Sequence, residues 1–424
     1  MPSPATKRQK KEVHEPAPVV SVSLPQSLVF GAKASVSLPT VLKQLGLKKP
    51  MIVTDSFVAG SGMLTPIVSA LDTAGFAHDT FSGCVPDPTT TSVAAGLAAW
   101  RAAPAAARCD CMVGIGGGSS IDSAKAIALL ALAPEDAKMR DFKVPNAPPA
   151  GLPIIAIPTT AGTGSEVTRV TIITDDETNE KMLCMGFSLM PRAALVDYTL
   201  TLSMPYRLTA DSGLDSLCHA MEAYVSRKRN AFSDEHALAA MKAIPANLRL
   251  VCADLAKGPA AEADEAAREA LMLAATHAGI AFSNASVTLI HGMSRPIGAH
   301  FHVPHGLSNA MLLPIVTEFS LPGAPARYAD CARAMGFASE ADDDAAAGKK
   351  LLDGLRALCS ELRVPSPCDH GISASQYDGL LETMAQQALA SGSPNNNPLV
   401  PTSQQIVELY RRVYKGEAPA SDTE

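Results

Sequence analysis

The hydrophobic positions in the first half of the chain fall into short apolar runs separated by stretches with helical spacing. Four runs are predicted as strands: 50–55 (PMIVTD), 77–81 (AHDTF), 111–118 (CMVGIGGG) and 152–160 (LPIIAIPTT). Three helical patterns follow these runs: 63–73, 90–106 and 121–133. Because strands and helices alternate, the pattern predicts a parallel sheet with helices on its faces.

The pattern then changes twice. Two β-rich segments, 167–175 and 181–187, are separated by DETNE and are predicted to form a hairpin. From Leu208 onward nearly every segment has helical period or is rich in helix-forming residues. The predicted organisation is a tail, an α/β domain, an all-helical domain and a second tail: 1–20, 21–204, 205–416 and 417–424.

Composition narrows the class of protein. A chain of 424 residues with 47% hydrophobic residues can build two domain cores. The net charge of −7 argues against nucleic-acid binding, and we expect no membrane span because no apolar run is long enough. Nine scattered cysteines without a CxxC pair favour a reducing, cytoplasmic location. The basic KRQKK near the start is either a targeting patch or, as we favour, part of a tail.

A glycine-rich turn lies between the third predicted strand and its helix, in VGIGGGSSIDSAKAI. Consecutive glycines let a backbone approach a ligand closely, and a helix amino terminus attracts phosphate. The alternative is a tight turn without a ligand. A second polar loop, IPTTAGTGSEVT, also follows a strand and either lines a ligand crevice or is an ordinary loop. Asp55 ends the first strand, where it can bind an adenosine ribose and favour NAD over NADP.

Asp215 and His219 stand four residues apart in the mostly apolar GLDSLCHAMEAY, so both lie on one helix face. A second stretch, 286–314, contains four of the ten histidines: His291, His300, His302 and His305. Any one of them can be an ordinary structural residue. Together, one carboxylate and three imidazoles make a plausible site for Zn²⁺ or Fe²⁺, although spacing does not fix which histidines bind. A metal beside a dinucleotide crevice indicates alcohol or carbonyl redox chemistry, with the metal favouring an alkoxide at neutral pH.

Four blocks carry a family resemblance: GGGSSIDSAK, PTTAGTGSEVT, LVDYTLTLSMPYRLTADSGLDSLCHAMEAY and HGMSRPIGAHFHVPHGLSNAMLLP. From about Leu24 to Tyr414 the sequence resembles the iron-containing (group III) alcohol dehydrogenases. The resemblance implies a dehydroquinate synthase-like α/β domain that binds NAD, followed by an all-helical metal-binding domain. It also implies Fe²⁺, with Zn²⁺ as the alternative, and a homo-oligomer whose size differs between relatives.

The resemblance assigns individual residues. The implied metal ligands are Asp215, His219, His291 and His305. The implied pyrophosphate loop is Gly117, Gly118 and Ser119, with Asp122 towards the nicotinamide. The implied adenine and phosphate loop is Thr159, Thr160 and Thr163. Lys181 matches a lysine near the nicotinamide ribose, Asp55 an acidic residue associated with NAD preference, and Asp87 a polar residue facing the crevice.

Two positions depart from the family pattern. Ser216 replaces an apolar residue, which we expect to change packing more than ligation. Arg295 stands where many relatives have a second histidine, four residues after His291. It either pairs with a substrate carboxylate or forms a salt bridge at the cleft rim.

The sequence does not single out one general base for proton transfer. The candidates are His277, His300 and His302. Glu222 is interpreted as helix support or as a group behind a metal ligand.

The resemblance implies a metal-dependent, NAD-linked alcohol dehydrogenase or aldehyde reductase acting on a small primary alcohol or hydroxy acid. The first alternative is a hydroxyacid–oxoacid transhydrogenase that retains its cofactor. A maleylacetate reductase-like enzyme works without metal, and the four ligand positions argue against it. A dehydroquinate synthase-like lyase needs a cluster of basic residues, whereas only Arg295 and Lys181 qualify.

Overall fold

The computed structural model describes residues 19–258 and 264–416. The KRQKK segment and the predicted tail at 417–424 lie outside these residues. The strands in the described part are Ser27–Phe30 (β1), Pro50–Asp55 (β2), Asp79–Cys84 (β3), Cys111–Gly116 (β4), Ile154–Pro158 (β5), Val170–Asp175 (β6), Glu180–Met185 (β7) and Ala193–Val196 (β8).

Six of these strands form one parallel sheet in the order β1-β8-β5-β4-β2-β3. The central strands β4, β5 and β8 are buried along their whole length, as expected for a parallel sheet covered on both faces. The edge strand β3 is mostly exposed. β6 and β7 form the predicted antiparallel hairpin. The predicted parallel α/β architecture is therefore confirmed.

The sheet helices are Leu38–Leu45 (α1), Ser56–Gly60 (α2), Leu64–Thr73 (α3), Thr90–Arg101 (α4) and Gly118–Leu132 (α5). Sequence reasoning missed β1 and β8, because four-residue runs are too short to show a period. The strand predicted at 77–81 is observed two to three residues later, at Asp79–Cys84. The helix predicted to reach residue 106 ends at Arg101 because Pro104 cannot continue it.

The remaining helices belong to the second half of the chain: Tyr206–Val225 (α6), Ala231–Ala256 (α7), Glu265–Asn284 (α8), Leu289–Phe301 (α9), His305–Ser320 (α10), Pro325–Ala334 (α11), Asp344–Glu361 (α12), Ala374–Ala390 (α13) and Ser403–Lys415 (α14). They share one hydrophobic core. α6 is buried on nearly all sides, so its polar residues lie inside the bundle. The predicted all-helical second half is confirmed.

The order of the strands places a crevice beside the glycine turn. β3 lies on one side of β2 and β4 on the other, so the chain reverses direction across the sheet between β2 and β4. Ligands of open α/β sheets bind outside the carboxyl ends of the strands at such a reversal. Here those ends are Asp55 and Gly116.

Among the described residues, no single helix is both long and apolar enough to cross a membrane. Only α8 and α9 taken together, with a bend of 103° between them, reach that length and apolarity.

Candidate metal centre and cofactor cleft

The glycine turn between β4 and α5 presents bare backbone to the crevice. Gly117 is the N-cap of α5, and no side chain in residues 19–258 or 264–416 caps this helix end. Gly116 has a φ of +149°, which disfavours any other residue. A Cβ atom on Gly118 would lie 2.8 Å from Cγ2 of Thr163. The free N–H groups and the positive end of α5 suit a phosphate group.

The predicted cofactor residues line two adjoining clefts that meet at Ser119. The first cleft, next to the end of β2, contains Asp55, Gly117, Ser119, Thr159 and Thr160. The second cleft lies between the hairpin and the helical half, and it contains Gly118, Ser119, Asp122, Thr163 and Lys181. An extended dinucleotide that crosses the glycine turn would contact both sets.

Asp55 and Asp122 already accept hydrogen bonds from the protein. Oδ1 of Asp55 accepts from the N–H of Val58 at 2.8 Å as the cap of α2, and Oδ2 accepts from Ser120 Oγ at 3.2 Å. Asp122 accepts from Ser165 Oγ at 2.6 Å and from the N–H of Ile172 at 2.9 Å. Both carboxylates therefore position the loops of the crevice, in addition to any contact with a cofactor.

Lys125 is a buried residue behind the second cleft that sequence reasoning missed. Its fully buried ammonium group donates to the carbonyl oxygens of Ser165, Thr168 and Val170 at 2.7–3.0 Å. Burial lowers the pKa of Lys125 to about 8, against the opposing effect of nearby Asp122 and Glu166. The lysine thereby anchors the loop from Ser165 to Val170 onto α5. The sequence signal that could have indicated this role is a single lysine within the apolar helical segment SAKAIALL.

The four predicted metal ligands converge from three helices. Asp215 and His219 come from α6, His291 from α9, and His305 is the first residue of α10. One donor atom from each residue lies within 4.8 Å of all the others. Asp215 Oδ1 is 3.4 Å from His291 Nε2 and 3.8 Å from His305 Nε2, and Oδ2 is 3.9 Å from His219 Nδ1.

These separations fit one divalent ion. Tetrahedral bonds of about 2.1 Å place neighbouring donor atoms roughly 3.4 Å apart. His219 provides an independent indication, because its Nδ1 is buried without a hydrogen-bond partner among the described residues. Its ring stacks on Phe282 at 4.2 Å and on His291 at 4.4 Å. An unpaired buried nitrogen is costly, and coordination would satisfy it.

Glu222 orients one of the ligands. Its carboxylate accepts from Thr288 Oγ1 and the N–H of Ile290, both at 2.7 Å, and lies 2.5 Å from Nδ1 of His291. With a proton on Nδ1 held by Glu222, His291 directs Nε2 towards the cluster. The contact matches the interpretation of Glu222 as a group behind a metal ligand.

The cluster is electrostatically suited to a cation. Burial opposes the charge of Asp215, but His219, His305 and His291 outweigh it and hold the Asp215 pKa well below its usual range. Burial lowers the pKa of His219 to about 3 and that of His305 to about 4, so both imidazoles are neutral donors. Burial likewise opposes the charge of His291, but Glu222 and Asp215 raise its pKa to about 9, so a bound ion would have to displace a proton from Nε2 of this ring.

Asn309 is a second residue that sequence reasoning missed. Its side-chain Nδ2 lies 2.6 Å from Asp215 Oδ1, 3.1 Å from His291 Nε2 and 3.3 Å from His305 Nε2. Asn309 stands four residues after His305 on α10, so the spacing that linked Asp215 to His219 also pointed to it.

One cavity joins the glycine turn to the metal cluster. Gly118 and Ser119 on one side share it with all four ligands on the other, and Lys181, Phe282 and Arg295 contribute to its walls. Lys181 Nζ donates to Asp87 Oδ1 at 2.8 Å. The structure thus brings together the two sites that the sequence indicated separately.

The three candidate bases lie elsewhere. His277 faces His236, with their Nδ1 atoms 2.8 Å apart, and it does not contribute to the cavity wall. Phe282, which does line the cavity, is five residues further along α8, a rotation of about 140° around the helix. His300 contacts Gln387 at 2.8 Å, and His302 is exposed at the end of α9.

Ser216 links the two halves of the chain near the metal ligands. Its hydroxyl donates to the carbonyl oxygen of Gly162 at 2.8 Å. The bond fixes the threonine-rich loop against α6, one residue after Asp215. That the departure from an apolar residue changes packing more than ligation stays a prediction, and this contact between the two halves is consistent with it.

Comparison with known proteins identifies the family. Residues 25–198 match the family described as iron-containing alcohol dehydrogenase, and residues 209–414 match its C-terminal part. The chain is 34% identical to lactaldehyde reductase of Escherichia coli K12 over 387 residues, covering 91% of this chain and 97% of that protein. It is 33% identical to the NAD-dependent methanol dehydrogenase of Bacillus methanolicus over 390 residues, covering 92% and 98%.

Solved structures agree with these sequence matches. A crystal structure of 1,3-propanediol oxidoreductase superimposes with a TM-score of 0.86 at 31% identity, covering 93% of this chain and all of that one. The sequence matches span both halves of the chain, including the glycine turn and the four-residue cluster. The protein belongs to the iron-containing alcohol dehydrogenase family.

Proposed function

We propose that this protein is an NAD-linked, metal-dependent alcohol dehydrogenase or aldehyde reductase that acts on small primary alcohols and their aldehydes. One observation carries the proposal: a single cavity contains both the four metal donors and the glycine turn. The names of the similar proteins, a lactaldehyde reductase and an NAD-dependent methanol dehydrogenase, support the same reaction class.

When bound, the divalent ion supplies a Lewis acid for the alcohol oxygen, and NAD supplies the hydride acceptor. Asp215, His219, His291 and His305 would hold the ion. Their one carboxylate and three imidazoles suit Fe²⁺ or Zn²⁺ better than Mg²⁺ or Ca²⁺. Phe282 packs on His219 and covers one side of the cluster, which restricts water there.

The cofactor would lie across the glycine turn. The backbone of Gly117, Gly118 and Ser119 would bind its pyrophosphate at the amino end of α5. Thr159, Thr160 and Asp55 would then line the adenosine end, and Asp122, Thr163 and Lys181 the nicotinamide end. The candidate bases His277, His300 and His302 lie outside the cavity, so we assign none of them a role in proton transfer.

Metal removal and replacement test this function. Protein stripped with a chelator should lose NAD reduction by 1,2-propanediol, 1,3-propanediol and ethanol, and Fe²⁺ or Zn²⁺ should restore it. Activity that survives complete metal removal would contradict the proposal and favour the metal-free, maleylacetate reductase-like alternative. Substrate conversion without any change in NADH absorbance would favour a lyase or a transhydrogenase.

We also propose a cytoplasmic location and a homo-oligomeric state for this enzyme. All nine cysteines are free thiols, and eight of them are buried, which suits a reducing compartment. Size-exclusion chromatography with light scattering tests the oligomeric state.

A further inference from the structure

Arg295 is a cation in the cavity wall that has no carboxylate partner among the described residues. Its Nη1 donates to Ser393 Oγ at 3.1 Å, and the structure records no other hydrogen bond or ion pair for this guanidinium within residues 19–258 and 264–416. A guanidinium has five N–H donors, so most of its capacity remains unused. A half-buried charge with so little compensation is costly unless something else in the cavity pairs with it.

The carboxylates around Arg295 are engaged elsewhere. Asp87 pairs with Lys181, and Asp122 accepts from Ser165 and Ile172. Glu222, whose charge acts on Arg295, already accepts from Thr288, Ile290 and His291. The salt bridge at the cleft rim, considered from the sequence, is therefore not formed in the described part of the chain.

Arg295 also lies close to the proposed reaction centre. It follows the ligand His291 by four residues on α9, so the two side chains lie on the same helix face. Arg295 lines the same cavity as the four proposed metal donors. Its guanidinium charge therefore makes this part of the cavity wall positive, where a substrate anion would be stabilised.

We propose that the preferred substrate carries a carboxylate group, which Arg295 binds while the substrate hydroxyl points towards the four-residue cluster. The substrate class is a short hydroxy acid, with the corresponding oxo acid as product. Arg295 is thus the specificity-determining residue, and its planar guanidinium fits a carboxylate better than an ammonium group does. This inference rests on the proposed alcohol dehydrogenase function.

The reaction balances with NAD as the sole co-reactant. The C–H bond at the carbinol carbon breaks, and its electron pair moves as hydride to the nicotinamide ring. The hydroxyl proton passes to solvent as the C=O bond forms. The alcohol carbon is oxidised, NAD is reduced to NADH, and the carboxylate bound by Arg295 is unchanged.

Matched substrates test the inference in metal-loaded wild-type protein. 3-Hydroxypropionate and 1,3-propanediol differ only by a carboxylate in place of a CH₂OH group, as do 4-hydroxybutyrate and 1,4-butanediol, and each of the four retains a primary hydroxyl that can react. We expect kcat/KM for at least one acid to exceed that of its diol by about tenfold or more. If both diols are oxidised with NAD and both acids are poorer, the inference fails and the proposed function stands. If neither acids nor diols are oxidised, the proposed function fails.

Variants locate the anion site. Arg295→Gln should lower kcat/KM for the preferred acid by about 100-fold and change that of its diol by less than about threefold. Arg295→Lys should retain part of the kcat/KM that Arg295→Gln loses, because an ammonium group keeps the positive charge but lacks the paired N–H donors of a guanidinium. In Arg295→Gln, the dissociation constant of the acid, measured by titration calorimetry, should rise correspondingly. Arg192→Gln, which removes an exposed arginine, is the matched control.

Three results would overturn the assignment. The first is an equal loss for acid and diol in Arg295→Gln, which would indicate a structural role. The second is a raised KM for NAD with unchanged acid selectivity, which would place Arg295 at the cofactor phosphates. The third is an acid-selective loss in Arg169→Gln instead, because Arg169 also lines this cavity. Circular dichroism and metal content identify misfolded variants, and the wild-type acid-to-diol ratio then decides.

Discussion

The proposed metal centre shares a cavity with one end of the proposed cofactor cleft, but the two sites are built from different groups. The proposed metal centre uses side chains of α6, α9 and α10, and Nδ1 of His219 is buried without a hydrogen-bond partner among the described residues. The cofactor cleft relies on backbone at Gly116–Gly118, and its carboxylates Asp55 and Asp122 already have protein partners. The metal centre should therefore be sensitive to the loss of a side chain, and the glycine turn to the gain of one.

The largest effect is expected from removing a metal donor. His219→Ala should lower kcat/KM by about 10³-fold or more, because the Lewis acid contributes several kcal/mol to the reaction. Metal content, measured by mass spectrometry on the purified protein, should fall in parallel.

His277→Ala is the matched control, because it removes another histidine of the helical half that faces His236 instead of the cavity. We expect its kcat/KM to stay within about threefold of wild type. A large loss of activity in His277→Ala with normal metal content would show that the cavity wall extends to this residue in the working enzyme.

An intermediate effect is expected from adding a methyl group to the glycine turn. In Gly118→Ala the new Cβ atom would meet Thr163 at 2.8 Å, and the turn or the loop must move. Overpacking of this kind costs about 1–3 kcal/mol, so the KM for NAD should rise by roughly ten- to a hundredfold while metal content stays normal.

Thr163→Ala tests whether steric overlap causes this loss. Combined with Gly118→Ala it removes both Thr163 atoms nearest to the new methyl group, and the double variant should recover much of the affinity for NAD. Strictly additive losses in the two variants would contradict the steric explanation.

How much of the two sites the sequence could predict depends on whether a feature is local or is formed by the packing of distant elements. Asp215, His219 and the glycine turn are local patterns, and spacing within one element is sufficient to recognise them. The choice of His291 and His305 over His300 and His302 depends on how α9 and α10 pack against α6, so it came from the family resemblance alone. The parallel sheet was predictable from the alternation of elements, except for β1 and β8, which are too short to show a period.

The residues that were missed act through tertiary contacts. Lys125 and Asn309 lie in helices whose sequence reads as core, and only the folded chain shows what their polar atoms contact. His277 shows the converse: the helix was predictable, but the side of α8 that faces the cavity was not. Arg295 lacks a carboxylate partner in the described part of the chain because Asp87, Asp122 and Glu222 have other partners, and only the folded chain shows this.

The smallest effect is expected from removing a side chain on the cofactor side. Asp55→Ser should reduce the preference for NAD over NADP by about tenfold, since the carboxylate that would repel a 2′-phosphate is lost. Serine keeps a cap for α2, so the stability cost should stay within about 1 kcal/mol. The measurement is the ratio of kcat/KM for the two cofactors, with Asp343→Ser, which replaces the cap of α12, as the control. Because Asp55 also holds Ser120, an unchanged cofactor ratio with a higher KM for both cofactors would mean that Asp55 serves only to position the glycine turn.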